Sequence, residues 1–102
     1  MNPILLLEAK AEAFDAVRWY ENRREGLGDR FLTALYTAFD DLAADPRRMS
    51  LLETVELPGR EVRRARVEKF PYIVIFEVTA SEVRVVAVAH TSRRPDYWFD
   101  RL

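Results

Sequence analysis

The chain has 102 residues, a length that supports one domain built around a single hydrophobic core. Its hydrophobic fraction of 49% and charged fraction of 32% are typical of a globular protein, and no run reaches the roughly 18 apolar residues that a membrane span needs. The absence of cysteine excludes disulfides and thiolate zinc sites. From the length, the apolar runs and the absence of cysteine together, we expect a single cytoplasmic domain over residues 1–102 with no membrane association.

The net charge of −1 conceals an uneven distribution. Residues 1–45 carry a charge of −4 and residues 46–102 carry +3, and 14 of the 16 basic residues are arginines. The planar guanidinium group suits phosphate and carboxylate, which favours an anionic partner for the C-terminal half, although a codon preference would explain the arginine excess equally well. Because the whole chain is close to neutral, strong non-specific binding of nucleic acid is not expected.

The first half of the chain predicts a strand followed by two helices. The apolar run "PILLLE" (3–8) predicts a short strand. From Ala9 to about Glu25 apolar residues recur every three or four positions, which is typical of a helix. The apolar positions of this helix are Ala9, Ala13, Phe14, Val17 and Tyr20. After "GLG" (26–28), a second helix is expected from about Asp29 to Ala44, ended by Pro46, and so short a connection predicts a helical hairpin.

The second half changes to the alternating pattern of strands. A short strand is expected at 52–57, and further strands at about 61–69, 72–79 and 83–90, the last two rich in β-branched residues. The tail from 95 to 102 predicts a short helix with proline at its first position. The element order is therefore β-α-α-β-β-β, an α+β fold in which the hairpin packs on a small, mostly antiparallel sheet.

Two stretches contain candidate functional residues. In "GREVRRARVEKFPY" (59–72), Arg64 and Arg66 project to one face of an extended strand, where they would meet either an anion or nearby acidic side chains. In "AVAHTSRRPDYW" (87–98), His90 ends the last strand and could serve either as a general base or as a hydrogen-bonded structural residue. Arg93 lies in the loop that follows, and Tyr97 could fill the edge of the core or donate a hydrogen bond at a site.

Sequence motifs for phosphate, dinucleotide and zinc binding are absent, and one histidine without cysteine makes a transition-metal site improbable. We therefore expect neither a cofactor nor a metal. The paired carboxylates Asp40 and Asp41 lie near a helix end and are expected to be solvated.

Taken in order, four segments of the chain resemble the RelE/ParE superfamily of toxins from type II toxin–antitoxin systems. The segments are "EAKAEAFDAVRWYE" (8–21), "GLGDRFL" (26–32), "VRRARVEKFPYIVIF" (62–76) and "VRVVAVAHTSRRPDYWFDRL" (83–102). The resemblance implies a small α+β toxin that inhibits growth when it is free. It also implies that the toxin is encoded beside an antitoxin, which binds it in a hetero-oligomer. It also implies that an acidic amphipathic segment of that partner would cover the apolar hairpin and the basic strand.

Two mechanisms occur in the superfamily. RelE-like members cut mRNA on the ribosome as metal-independent endoribonucleases, whereas ParE-like members poison DNA gyrase. If this chain is RelE-like, the resemblance implies that the catalytic residues are Arg64, Arg66, Arg93, His90 and Tyr97. The arginines would then stabilise the pentacovalent phosphate, and His90 or Tyr97 would transfer protons. The lysine-rich strand of the nucleases is replaced by arginines, which favours a ParE-like or unassigned toxin; a chain that binds antitoxin but has lost its toxicity is the third alternative.

Overall fold

The computed structural model describes residues 2–52 and 57–102. Two α-helices and five strands follow one another in the order β-α-α-β-β-β-β, which is the predicted order with the short strand after the hairpin counted separately. Two short 3-10 turns lie at Pro46–Arg48 and Phe99–Arg101. The helices are α1 (Leu7–Arg23) and α2 (Leu27–Ala44). The strands are β1 (Ile4–Leu5), β2 (Ser50–Leu51), β3 (Glu61–Arg66), β4 (Tyr72–Val78) and β5 (Val83–His90). The α+β fold expected from the sequence is confirmed.

The five strands form one sheet in the order β1-β5-β4-β3-β2. All neighbours are antiparallel except β1, which runs parallel to β5. β4 is the central strand and is buried on both faces from Val74 to Val78, as its apolar sequence predicts. A register shift between Ile75 and Phe76 marks a bulge in the pairing with β5. In the described part of the chain, no helix has the length and hydropathy that a membrane crossing requires.

Each face of the sheet carries its own apolar cluster. The helical hairpin covers one face, where Phe31 and Leu35 of α2 pack against Val74 and Phe76 of β4. The C-terminal tail covers the other face through Trp98, which has no exposed surface and packs with five buried strand residues. These five are Val62, Ile75, Val86, Ala87 and Ala89. The tail is therefore part of the fold, and its removal would expose one side of the sheet.

The segment "EGLG" sets the geometry of the hairpin. Gly26 has φ +86, a left-handed conformation that favours glycine, and it precedes the first turn of α2. The Glu21 carboxylate accepts hydrogen bonds from the N–H groups of Gly26 (3.1 Å) and Gly28 (3.0 Å), which satisfies free donors at the start of α2. A Cβ on Gly28 would lie 2.8 Å from the carbonyl oxygen of Val17, so glycine allows the helices to approach this closely.

An aromatic cluster explains the segment "FPY" (70–72). Phe70 and Tyr72 flank the turn between β3 and β4, and their rings meet those of Tyr20 and Phe31 from the hairpin. The centroids of Phe70 and Tyr20 are 4.9 Å apart, and those of Tyr72 and Phe31 are 5.0 Å apart. These aromatic contacts, rather than a catalytic role, account for the motif.

Several details predicted for the two ends of the chain are wrong. The run 3–8 is a strand only at Ile4–Leu5, because Leu7 already begins α1. Phe14, assigned to the apolar face of the first helix, is 65% exposed. The predicted tail helix is only the 3-10 turn Phe99–Arg101, since Tyr97, Trp98 and Phe99 turn toward the sheet instead of continuing a helix.

Three other boundaries also shift. α2 begins at Leu27 rather than Asp29, and β3 ends at Arg66 rather than residue 69, where Lys69 has φ 69. A strand near the expected position 52–57 occurs at Ser50–Leu51, and residues 53–56 of that prediction lie outside the described residues.

Replacing Glu77 by glutamine is expected to weaken the loss of stability in acid. The buried Glu77 carboxylate accepts hydrogen bonds from Arg60 at 2.6 and 2.9 Å and from Arg84 at 3.3 Å. The Arg60 hydrogen bonds, more than the nearby charges, hold the pKa of Glu77 below its usual range. The carboxyl group of the unfolded chain has a pKa of about 4.3, so this contribution to stability is present above that pH and is lost as the pH falls through the pKa of the folded state.

Urea unfolding midpoints measured from neutral to acidic pH check this prediction. The midpoint of Glu77→Gln should be lower than wild type at neutral pH and should fall less steeply toward acid. Asp40→Asn, which removes an exposed carboxylate from α2, should retain the wild-type slope. An equally steep acid loss in Glu77→Gln would contradict the assignment.

Candidate functional site

Four of the five predicted site residues line one groove on the tail-covered face of the sheet. This groove, of about 160 Å³, lies between β3, the end of β5 and the tail, and we call it the arginine groove. Its predicted members are Arg64, His90, Arg93 and Tyr97. Arg66 lies two residues beyond Arg64 on β3 and is exposed, but it does not line the groove.

The arginines of β3 divide between the two faces of the sheet. Arg63 bonds to Glu61 at 2.7 Å and to the carbonyl oxygens of Arg47 and Met49, so it anchors the segment that leads into β2. The bond to Arg63 is also the main reason why the pKa of Glu61 lies below its usual range. Arg64 and Arg66 project to the opposite face, as the alternation predicted.

His90 is half-buried at the end of β5. Its Nδ1 accepts a hydrogen bond from the Ser92 backbone N–H at 3.0 Å and lies 2.8 Å from the Ser92 hydroxyl. Because a backbone N–H can only donate, the neutral ring carries its proton on Nε2. The ring also meets Tyr72 edge to face, with centroids 5.2 Å apart. His90 is therefore held on one side by the loop, with Nε2 as the nitrogen left for other partners.

Tyr97 is fixed by a carboxylate from α1. Its hydroxyl donates to Glu12 Oε2 at 2.5 Å. Burial, followed by the bond to Glu12, raises the pKa of Tyr97 far above its ordinary value. The Arg93 guanidinium lies over the Tyr97 ring, 4.0 Å from its centroid, and that of Arg101 lies at 5.1 Å. Tyr97 is thus a neutral hydrogen-bond donor enclosed by a carboxylate and two cations.

Glu12 and Arg101 were not predicted, yet they organise this region. Arg101 makes two bonds to the Glu12 carboxylate, at 2.8 and 3.2 Å, and another to the carbonyl oxygen of Val86 at 3.1 Å. Glu12 also accepts the backbone N–H of Val88 at 3.1 Å. The pair therefore joins α1, β5 and the tail, and it satisfies backbone groups along β5 beyond the short β1. We call Glu12, Tyr97 and Arg101 the tail clamp.

The sequence does contain a signal that Glu12 is a structural residue. It lies three residues after the buried Ala9 and four before the buried Ala16, so it projects from the sheet-facing side of α1. A carboxylate at such a position requires a partner, because an unpaired buried charge is strongly unfavourable. The identity of that partner had no local signal, since Arg101 lies 89 residues away.

A second, wider groove of about 470 Å³ lies between α1 and the ends of β4 and β5. It shares His90, Arg93 and Tyr97 with the arginine groove, and Trp19 and Tyr72 add aromatic surface. Among the residues that the structure describes, no three histidine, aspartate or glutamate side chains are grouped so that they could hold a metal ion.

Comparisons with known proteins agree with this architecture. The family profile described as "ParE toxin of type II toxin-antitoxin system, parDE" matches residues 4–95. A solved chain from "Chromosomal ParDE TA system from P. aeruginosa" superposes with a TM-score of 0.72 at 16% identity, covering 88% of this chain and 95% of that one. No curated protein matches this chain in sequence.

The two comparisons support different statements. At 16% identity the structural likeness shows a shared fold, whereas the profile covers both helices, the whole sheet and the loop that carries Arg93. The resemblance to RelE/ParE toxins is thereby confirmed. The chain belongs to the family of ParE toxins of type II toxin–antitoxin systems.

Proposed function

We propose that this chain inhibits growth in the cytoplasm when free, that it does so by poisoning DNA gyrase, and that a cognate antitoxin neutralises it in a hetero-oligomer. Membership of the ParE family supports the toxin role and the antitoxin partner. The observation that favours a non-nucleolytic mechanism is the bond between Tyr97 and Glu12.

The tail clamp removes two groups from acid–base chemistry. A general base must reach the proton it abstracts, and its pKa should lie near the working pH. The Tyr97 hydroxyl already donates to Glu12, and its raised pKa lies even further above the working pH than that of an ordinary tyrosine. The Glu12 carboxylate is in turn bonded to Arg101. Among the described residues that line the groove, His90 is then the side chain left for proton transfer, whereas the nuclease reaction needs both a base and an acid.

The outer surface of the hairpin supports a protein partner. Large apolar side chains are exposed on both helices: Leu7 and Phe14 on α1, and Tyr36 on α2. Exposed apolar residues of this size are typical of interaction surfaces when they lie close together. A partner that covered the hairpin would bury an interface of standard size, about 1,600 Å² in total.

A RelE-like endoribonuclease is the second candidate. It is favoured by the convergence of Arg64, His90 and Arg93 on one groove, as the resemblance implied. In that mechanism the arginines would stabilise the phosphorane, and His90 would have to exchange a proton with the 2′-hydroxyl.

Induction of the chain in growing bacteria separates these mechanisms. If the chain poisons gyrase, DNA breaks and altered plasmid supercoiling should precede any fall in protein synthesis. His90→Ala should remain fully toxic, whereas a nuclease would lose about 10²–10⁴-fold of its activity on removal of a proton-transfer group. Immediate arrest of translation that His90→Ala abolishes would overturn the gyrase proposal.

Co-expression with the adjacent open reading frame tests the partner. Restored growth and co-purification are expected. If the two proteins co-purify but the chain alone never slows growth, the chain binds antitoxin without being toxic, and the proposed inhibition is wrong.

A further inference from the structure

A serine hydroxyl and the only histidine of the chain meet in the loop after β5. The Ser92 Oγ lies 2.8 Å from His90 Nδ1, within the reach that a general base needs. We propose that Ser92 is a phosphorylation site, in which His90 accepts the proton of the hydroxyl and Arg93 and Arg94 hold the phosphate. The site is independent of the cellular target of the chain.

The hydrogen bonds of the loop keep His90 in the form that can accept a proton. The Ser92 backbone N–H donates to Nδ1 at 3.0 Å, so Nδ1 of the neutral ring carries no proton. The Ser92 hydroxyl can therefore donate to the same nitrogen, and its proton can move along this contact when the oxygen attacks. Ser92 Oγ is thus the nucleophile and His90 Nδ1 is the base.

The surrounding structure fixes this pair before a phosphoryl donor arrives. The Arg93 N–H donates to the His90 carbonyl oxygen at 3.0 Å, which closes a tight turn around Ser92. The His90 ring also packs edge to face against Tyr72, with centroids 5.2 Å apart. A base and a nucleophile that are already oriented lose little entropy in the reaction. Ser92 itself is exposed, so a donor can reach its hydroxyl.

The cations beside Ser92 favour a phosphoryl group over an uncharged acyl group. Arg93 and Arg94 follow Ser92 directly and are exposed. Within the described residues, Arg93 forms no ion pair and is positioned over the Tyr97 ring, whereas Arg94 pairs with the exposed Asp96 at 2.9 Å. A phosphate opposite an arginine cluster gains about one to three charge-assisted hydrogen bonds.

The phosphoryl donor is a nucleoside triphosphate, brought to the loop by a protein kinase. Ser92 Oγ forms a bond to the γ-phosphorus while the bond from that phosphorus to the β–γ bridging oxygen breaks. The nucleoside diphosphate leaves with this oxygen, and the hydroxyl proton passes to His90 Nδ1 and then to solvent. At neutral pH the phosphate carries a charge of about −1.5 to −2, which offsets the two arginines beside it. Phosphorylation would thus turn this end of the arginine groove from cationic to neutral.

A fluorophosphonate reagent tests the nucleophile, because an activated serine oxygen attacks its phosphorus and releases fluoride. Ser81 is the matched internal control: it is exposed like Ser92, but it lies in the turn before β5, at the opposite end of that strand from His90. Timed labelling followed by peptide mass spectrometry gives the rate at each serine.

We expect Ser92 to be labelled at least about 10²-fold faster than Ser81, and His90→Gln to remove this advantage. Ser81→Ala should leave the rate at Ser92 unchanged. Far-ultraviolet circular dichroism checks that each variant is folded, and the comparison of Ser92 with Ser81 needs no variant. Equal rates at the two serines, or wild-type labelling of Ser92 in His90→Gln, would overturn the proposal.

Phosphoserine incorporated at position 92 tests the phosphate ligands. Its second ionisation is followed by phosphorus NMR, with phosphoserine at position 81, beside Glu82, as the control. Because cations favour the dianion, the second pKa of the phosphate at position 92 should lie at least about 0.5 below that at position 81. The double variant Arg93→Gln with Arg94→Gln should abolish the difference. Equal pKa values at the two positions, or a difference that persists in the double variant, would contradict the assignment of the arginines.

Discussion

Replacement of Trp98 by alanine is expected to lower the free energy of unfolding by about 3–5 kcal/mol, the largest effect of any single change in the tail. The indole has no exposed surface and fills the space between the tail and the outer face of the sheet. Its loss leaves a cavity against Val86 and Ala89 and frees Phe99, whose ring is 4.9 Å from that of Trp98. Urea unfolding followed by far-ultraviolet circular dichroism measures the change.

Trp19→Ala is the matched control, because Trp19 is 52% exposed and its main contacts are an edge-to-face approach to Tyr20 and the guanidinium of Arg23. Trp19→Ala should lower the free energy of unfolding by about 1 kcal/mol or less. The Trp98 Nε1 is buried without a hydrogen-bond acceptor among the described residues, which is unfavourable in the folded state. Because Trp98→Phe removes this unpaired donor, it should lower the free energy of unfolding by less than the lost side-chain volume suggests. Equal destabilisation by Trp98→Ala and Trp19→Ala would refute the role of Trp98 as the anchor of the tail.

Replacement of Glu12 by alanine is expected to lower the free energy of unfolding by about 2–4 kcal/mol. The Glu12 and Arg101 side chains are only 17% and 14% exposed, so truncation leaves a mostly buried guanidinium without its carboxylate. The same change removes the acceptor of the Tyr97 hydroxyl and of the Val88 N–H. The estimate is below that for a fully buried pair because solvent still reaches both side chains.

Asp15→Ala is the control on the same helix. Asp15 pairs with Arg18, but these side chains are 70% and 75% exposed, so the loss should be below about 1 kcal/mol. The double variant Glu12→Ala with Arg101→Ala should be more stable than the sum of the two single losses predicts, because the unpaired cation is removed as well. Strict additivity would show that Glu12 and Arg101 do not act as a pair.

Sequence reasoning succeeded where the signal was local. The helical spacing of five apolar residues predicts the buried face of α2, namely Phe31, Leu35, Ala38, Phe39 and Leu42. Four of them are buried, and Phe39 is half-buried. Both alternating faces of "YIVIF" (72–76) are apolar, which predicts a central strand, and β4 lies in the centre of the sheet. In both cases the period of the element and the burial of one or two faces are written within a short window of the chain.

The candidate site was only half predictable. His90 is the last residue of β5 and Arg93 lies in the loop that follows, so their place at the end of this strand could be expected from their position. The role of Tyr97 could not, because it depends on Glu12, which lies 85 residues earlier. The boundary between β1 and α1 was missed for a different reason: "ILLL" suits a buried strand and a helix start equally, and the parallel pairing with β5 selects Ile4 and Leu5.

For this protein, the sequence by itself determined the order of elements, the hairpin turn at Gly26 and the alternating faces of the strands, because each depends on backbone preferences and spacing among near neighbours. Tertiary structure decided that the tail folds back as a 3-10 turn over Trp98 and that Glu12 meets Tyr97 and Arg101. These contacts join positions at opposite ends of the chain, and their free energy arises only when burial brings the charges together, so no local pattern encodes them.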